Sequence, residues 1–443
     1  MNAGVTPIKT AAETALAEAF AQARERLPGD DAVTAQRDIA FGVFARQGLP
    51  HRRVEEWKYT DLRALMREAK PLAAPPDAAA KAQAKSASAL VGDVETRRLA
   101  FVDGAFVAEL SDLKNLEQGL TVGSLAQALA DGDPVLTAHL GKLAPSGDVA
   151  VALNTALMGD GAVIHIAAGA TIERPLHLSF VASAKPAATF VRSLIVVERS
   201  ARAMVIESHE GPPAADYQAN AAIELFVGDQ AHVDHVKLVG EGAEALHVST
   251  LAAAIGARAR FNSFSFVVGG AVVRNQLFLN FDGEATVAGI RGATLIKGRQ
   301  HADTTLVANH IAAGCQSREV FKAVLDDEAH GVFQGRIIVR PHAQKTDAKM
   351  MTQALLLSER AEADNKPELE IFADDVQCGH GATAGALDDE LKFYLMARGI
   401  PAAEAEALLI QAFLGEAIEG IEHAGLREAL MDRVAAWLKA RAS

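Results

Sequence analysis

AIELFVGDQAHVDHVKLV, residues Ala222–Val239, holds two strand-like runs, Ala222–Val227 and His232–Val239, separated by a Gly-Asp-Gln turn and an alanine. Short runs rich in β-branched and aliphatic residues, broken by a glycine-containing turn, read as strand, turn, strand. The unit recurs. Turn-plus-alanine pairs stand at Gly169-Ala170, Ser200-Ala201, Gln230-Ala231, Gly256-Ala257 and Glu284-Ala285, giving alanine spacings of 31, 30, 26 and 28 residues. From Ala162 to about Val376 the chain continues in this way, without helical periodicity between the strands. A repeat in that range marks a solenoid, whose neighbouring units bury a shared core. A β-sandwich also uses many short strands, but it needs no repeat and rarely exceeds about 200–250 residues. The spacing therefore predicts a β-helix, with stacked coils and inward side chains in ladders.

Both flanks are helical. Thr10–Arg26 repeats Leu16, Ala19, Phe20 and Ala23 at helical spacing and stops at Pro28-Gly29. Val33–Gln47 is a second helix, closed by Gly48, and Thr60 or Asp61 caps a short helix over Leu62–Glu68. Pro71–Ser88 lacks large apolar residues apart from Leu72 and reads as a flexible linker. Leu99–Phe106 reads as a hairpin turning at Asp103-Gly104, followed by short helices over Gly123–Ala130, Asp133–Gly141 and Val149–Leu157. Beyond Gly385, three helices are predicted over Asp388–Arg398, Pro401–Ile418 and Leu426–Ala440. Leu391, Tyr394 and Leu395 share a side of the first, and Leu408, Leu409, Ala412 and Phe413 a side of the second. The expected division is an N-terminal helical domain with linker (1–95), a β-helix core (96–385) and a C-terminal helical domain (386–443).

A formal charge of −13 over 443 residues argues against a nucleic-acid surface. Apolar runs such as Ser193–Val197 and Phe264–Val268 are far short of the roughly 18 residues that span a bilayer. The first residues lack a basic segment followed by an apolar one, so no signal peptide is expected. Two cysteines, Cys315 and Cys378, make no disulfide framework. A soluble cytoplasmic protein is the expectation.

Little catalytic chemistry is legible. Gly379-His380-Gly381-Ala382-Thr383-Ala384-Gly385 misses the dinucleotide fingerprint by one residue, has no βαβ unit around it, and follows Asp374-Asp375, which would repel a pyrophosphate. No P-loop sequence and no Cys-x-x-Cys occurs. His232 and His235 are three apart, which in a strand sends them to opposite faces. His301, His310, His330 and His342 are scattered singly, and Asp388-Asp389-Glu390 fits a helix start. Cys378 and His380 differ: at i and i+2 of an extended segment both point to one face. Thiolate and imidazole suit iron, copper or zinc, but two ligands do not close a site. The same pair also fits a small buried thiol beside a turn histidine.

The run Ser358–Val376, then Gln377-Cys378-Gly379-His380-Gly381-Ala382-Thr383, Phe393-Tyr394-Leu395 and Arg398-Gly399, resembles the SufB/SufD family of iron–sulfur cluster assembly scaffolds. Glu55-Glu56-Trp57-Lys58-Tyr59-Thr60 is similar to an N-terminal signature of the SufD branch. Leu153-Asn154-Thr155-Ala156 with Asp160-Gly161 resembles the family's entry to its core. Gly381 stands where SufB-type members typically carry glutamate, so the likeness is to the SufD side. The resemblance implies a right-handed parallel β-helix with helical domains at both ends. It implies a non-catalytic scaffold that pairs with a SufB-like subunit and docks a SufC-type ATPase through Phe393, Tyr394, Arg398 and Gly399. His380 and Cys378 would then meet iron or a transient Fe–S cluster at the partner interface, with no cofactor held tightly by the chain alone. A homodimer is expected when the partner is absent. Cys315 receives no role from the resemblance. A carbohydrate-active β-helix enzyme, a SufB-like cluster-bearing subunit and a self-sufficient metalloprotein remain the alternatives.

Overall fold

A computed structural model describes residues 9–85, 87 and 90–442. The strand field winds into a parallel β-solenoid of about eight turns, with helices at both ends. Each coil gives one strand to each of two sheets. Gln218–Val227 pairs with Ala188–Val197 and Leu246–Ile255 in one sheet. The next strand, His232–Gly240, pairs with Arg202–Glu210 and Arg260–Val267 in the other.

The register runs without slip, so each inward position stacks on its counterpart. In one sheet the ladder reads Ala203, Val233, Phe261, Ala288, Ser317, Ala348, Cys378. In the other it reads Leu225, Ala253, Leu279, Ala308, Ile337, Leu369. Most of these side chains form one continuous core. Burying each leucine, valine or phenylalanine contributes roughly 1.5–3 kcal/mol, so the stack is held by many small equal terms.

The corner repeat has a specific cause. Gly169, Ser200, Gln230, Arg258, Ala285, Gly314 and Lys345 all take left-handed backbone, at intervals of 27 to 31 residues. Non-glycine residues pay about 1–2 kcal/mol for that conformation. Here each N–H donates to a carbonyl of the following coil, as in Ser200 to Asp229 (2.8 Å), Arg258 to Glu284 (2.8 Å) and Gly314 to Gln344 (2.8 Å). The next residue turns inward and is small: Ala170, Ala201, Ala231, Ala259, Thr286, Cys315, Thr346. Two of the five expected markers are therefore out of step. The corner lies at Arg258-Ala259 rather than Gly256-Ala257, and at Ala285-Thr286 rather than Glu284-Ala285. Cys315 is one of these small corner residues, fully buried, with Sγ 3.2 Å from the Gly283 carbonyl.

The N-terminal helices Ala11–Ala23 and Asp31–Gln47 form as expected, the first closed by a Thr10/Glu13 capping box and the second capped by Asp30. The hairpin pairs Phe101 with Phe106. The stretch read as a linker is corrected in part: Ala78–Lys85 is a helix, because Ala80 and Ala84 pack beneath Val102, Val107 and Val181. Small side chains are what let it approach so closely. Ser86 and Ser88 of that stretch, and residues 1–8 of the expected leaderless start, lie outside the described residues.

The C-terminal helices are Asp389–Met396, Ala402–Ile418 and Ala424–Ala442. Ile410, Leu414, Ala417, Ile418, Leu430 and Val434 pack onto the outer face of the solenoid sheet at Ile206, Val236 and Phe264. Of the four residues expected to share a side, Leu408 and Ala412 face outward, whereas Leu409 is half-buried and Phe413 packs against this cluster. No described helix is long and apolar enough to cross a membrane.

Candidate functional site at the open end of the solenoid

Three sequence motifs resolve into joints of the scaffold. Asn154, fully buried, donates to the carbonyls of Val191 (2.9 Å) and Asn220 (3.0 Å) and accepts from Arg192 (3.2 Å). It thereby ties the helix Val149–Leu157 to two successive coils. Arg192 in turn pairs with buried Glu224, which also accepts from the N–H groups of Gly141, Lys142 and Leu143. A buried pair with its remaining lone pairs satisfied is the arrangement that avoids an uncompensated charge. Asp160 accepts from the N–H groups of Phe106 (2.8 Å) and Ala126 (3.0 Å) and from the Ser124 hydroxyl (2.7 Å). Neighbouring Gly161 has φ +155°, and an added Cβ would lie 1.8 Å from the Arg192 carbonyl oxygen, so no side chain fits there.

Residues 55–60 dock across successive coils. The Trp57 indole, 2% exposed, donates to Asp148 (3.2 Å) and lies 3.9 Å from the Arg274 guanidinium. Arg274 pairs with Asp303 and donates to the Glu56 carbonyl (2.6 Å). The Thr60 hydroxyl donates to Asp303 and lies 2.9 Å from His301 Nε2, leaving Asp61 to cap Leu62–Leu65. Glu55 reaches Lys366 on the last coil. A cleft of about 410 Å³ lies beside Trp57, lined also by Gln276, Thr305, Arg336 and Lys366. Its cations Arg274, Arg336 and Lys366 are already paired with carboxylates, and its lining holds neither cysteine nor histidine.

The last coil is built differently. Its strands, Glu362–Ile371 and Gln377–Gly385, each pair on one side only and end their sheets. Exposed strand edges invite pairing with another chain. Pro367 sits in the outermost strand, where a missing N–H is tolerated. Register places Cys378 over buried Ala348 and His380 over buried Met350. Both thus continue inward ladders of the core, as their i, i+2 spacing predicts. At the open end those positions are no longer covered: Cys378 is half-buried and His380 exposed. They line an open concavity of about 440 Å³ with Glu319, Lys349 and Met350.

Sequence reading missed Glu319. It lies one rung below Met350 on the ladder that ends in His380. It is fully buried, and neither carboxyl oxygen has a hydrogen-bond partner. The nearby Ser317 hydroxyl lies 3.0 Å from His310 Nε2 and only partly offsets the burial of Glu319. Burial raises the Glu319 pKa to about 7. Burial also pushes the Cys378 thiol up, with Asp347 and Glu319 adding to the shift. A backbone hydrogen bond at Ala348 favours the thiolate but does not overcome the burial, and a bound cation would favour it further. The two donor types fit iron or an Fe–S cluster as cargo, but they leave most of its coordination positions open.

Phe393, Tyr394, Arg398 and Gly399 lie at the adjoining helix. Phe393 is 71% and Tyr394 53% exposed, and the Arg398 guanidinium stacks on the Tyr394 ring at 3.5 Å. Gly399 closes the helix at φ +87°. Leu391, Met396 and Leu408 extend this outward apolar surface. His232 and His235 fall on opposite faces as expected, His232 toward Glu422 and His235 inward to Glu207.

The family model described as "SUF system FeS cluster assembly, SufBD core domain" matches residues 180–413, and "SufBD protein N-terminal region" matches 10–178. The chain belongs to the SufBD family of iron–sulfur cluster assembly proteins. A Synechocystis relative described as an iron–sulfur cluster assembly SufBD family protein is 32% identical over 413 residues, covering 90% of this chain and 89% of its own. The Escherichia coli iron–sulfur cluster assembly protein SufD is 32% identical over 394 residues, 88% of this chain and 89% of its own. The Bacillus subtilis SufD is 27% identical over 283 residues, 63% and 64% of the two chains. The SufBD core match takes in Cys378, Glu319, His380 and the exposed helix Asp389–Met396, while the N-terminal match takes in Trp57, Asn154 and Asp160.

Proposed function

We propose that this SufBD protein is a non-catalytic scaffold subunit, working in the cytoplasm, that supplies half of a cluster-assembly site. The observation that carries this is the uncovered last coil, where the inward ladders end in Cys378 and His380. A SufB-like subunit would lay its own last coil against it, satisfying the strand edges and adding the missing ligands. The nascent Fe–S cluster or iron is then cargo held between subunits, and the lone chain holds no cluster tightly. Alone, the same edge would pair with a second copy. A SufC-type ATPase would dock on the apolar surface of Phe393, Tyr394, Arg398 and Gly399. That surface and the last coil are joined through residues 386–388, so motion at one reaches the other.

The test is reconstitution with SufB-like and SufC-type subunits. His380→Ala is expected to leave assembly of the complex intact and to reduce cluster formation, read by visible absorption and acid-labile sulfide. Normal cluster yield from a fully assembled His380→Ala complex would remove the cluster role. Failure of the three chains to co-elute would remove the partner reading.

A further inference from the structure

We infer that the interior of the solenoid holds a site for a first-row divalent metal ion, built from His209, Glu241 and His247, separate from the open end. The ligands come from three successive segments: the end of strand Arg202–Glu210, the residue after strand His232–Gly240, and the start of strand Leu246–Ile255. One donor atom from each lies within 4.8 Å of the others, and all three side chains are buried.

Two independent features point to a ligand. His247 Nδ1 and Glu241 Oε2 sit 3.2 Å apart at an ion-pair distance, in a geometry poor for a hydrogen bond, and His247 Nε2 has no hydrogen-bond partner at all. Their lone pairs are therefore misaligned for a shared proton. That separation is the one expected between two ligands of one tetrahedral ion at about 2.0–2.2 Å. Leaving such groups unmade in a core costs about 1–3 kcal/mol each, more when charged. The second feature is support behind the ligands. His209 Nε2 lies 2.9 Å from Glu207 Oε2, whose other oxygen is 3.1 Å from His235 Nε2. A carboxylate behind a histidine fixes its tautomer and orientation, as in metal sites generally. Glu207 is paired with buried Lys237 at 3.4 Å, and Lys237 Nζ also lies 3.3 Å from His209 Nε2, so His209 would offer its Nδ1 to the ion while Glu241 brings the carboxylate.

Two imidazoles and a carboxylate suit zinc or iron(II), and a fourth position stays open to water or to a ligand reaching the interior. The site joins three consecutive strand segments, so its metal would stiffen the coils that carry the C-terminal helices.

The full chain is stripped with chelator, loaded with Zn²⁺ or, anaerobically, Fe²⁺, desalted, and assayed by metal analysis and X-ray absorption. The expected result is about one Zn²⁺ per chain with only nitrogen and oxygen neighbours. Glu241→Gln and His247→Gln should weaken binding at least about ten-fold and abolish the Zn²⁺-dependent rise in Tm. A Cys378→Ala/His380→Ala variant should bind as well as the parent. Absence of retained metal in the parent, sulfur in the first shell, or loss of the metal in the open-end variant would each overturn the assignment. The parent's stoichiometry and spectrum decide it even where a core variant fails to fold.

Discussion

Glu319→Gln isolates a fully buried carboxyl of which neither oxygen is hydrogen-bonded. Glu319 has no solvent exposure, no hydrogen-bond partner and a pKa raised by burial to about 7. Its ordinary value, taken for the unfolded chain, is 4.5. Between those values the native state keeps a proton that the unfolded state has released, so stability falls as pH rises. Below about pH 4 both states are protonated and the penalty vanishes. Above pH 7 both are ionised and the penalty is complete: about 2.5 pKa units, or about 3 kcal/mol. Arg318 is the cation that moderates it, and Ser317 and Cys378 are the other polar groups nearby. Glutamine matches the shape and carries no charge. The variant should therefore track the parent within about 1 kcal/mol near pH 4.5 and exceed it by about 3 kcal/mol near pH 8. Urea unfolding followed by circular dichroism at both pH values measures the double difference. A stability gap that does not change with pH would refute the reasoning, because it would mean that Glu319 is ionised at no cost in the native state. The assay also bears on function: a carboxyl half-ionised near neutrality, two rungs beneath His380 on the same ladder, releases its proton when a cation arrives above it.

Trp57→Ala removes an indole that is 2% exposed, its bond to Asp148 and its stacking on Arg274, and should cost about 3–5 kcal/mol in urea unfolding. Limited proteolysis should then cut first around residues 50–60. Iodoacetamide should label Cys378 slowly at pH 7 and faster as pH rises, because burial holds its thiol up, while Cys315 stays unlabelled until the chain unfolds; mass spectrometry of native and denatured samples reads both. Phe393→Ser with Tyr394→Ser changes exposed residues, so stability should move by no more than about 0.5 kcal/mol each. Co-elution with a SufC-type ATPase should be lost, and its survival would move the docking surface elsewhere.

The solenoid was legible because its requirement repeats: one left-handed corner and one small inward residue per coil. The alanine at Gly256-Ala257 was misplaced by two residues for a physical reason. The corner is stabilised by a backbone hydrogen bond to the next coil, which Arg258 makes as well as any glycine would. Composition alone cannot show that bond. Helical periodicity puts Leu408, Leu409, Ala412 and Phe413 on one side without saying what covers it; here Ile410 and Leu414 take the core and Leu408 and Ala412 stay outside. Cys378 and His380 could be found because both lie on one strand at i, i+2, where the two-residue period settles their common face. Glu319 shares the ladder of His380 but is two coils earlier in its sheet, and nothing local marks it as inward. His209, Glu241 and His247 are harder still, since their meeting depends on coil lengths rather than on spacing within one element. In a solenoid, then, chemistry along a strand is readable from sequence, whereas chemistry across coils emerges only with the register. Any site built across coils is also tied to the register's integrity. A one-residue insertion at the corner Ala243–Ala245 would separate Glu241 from His247 while leaving every side chain of the triad in the sequence.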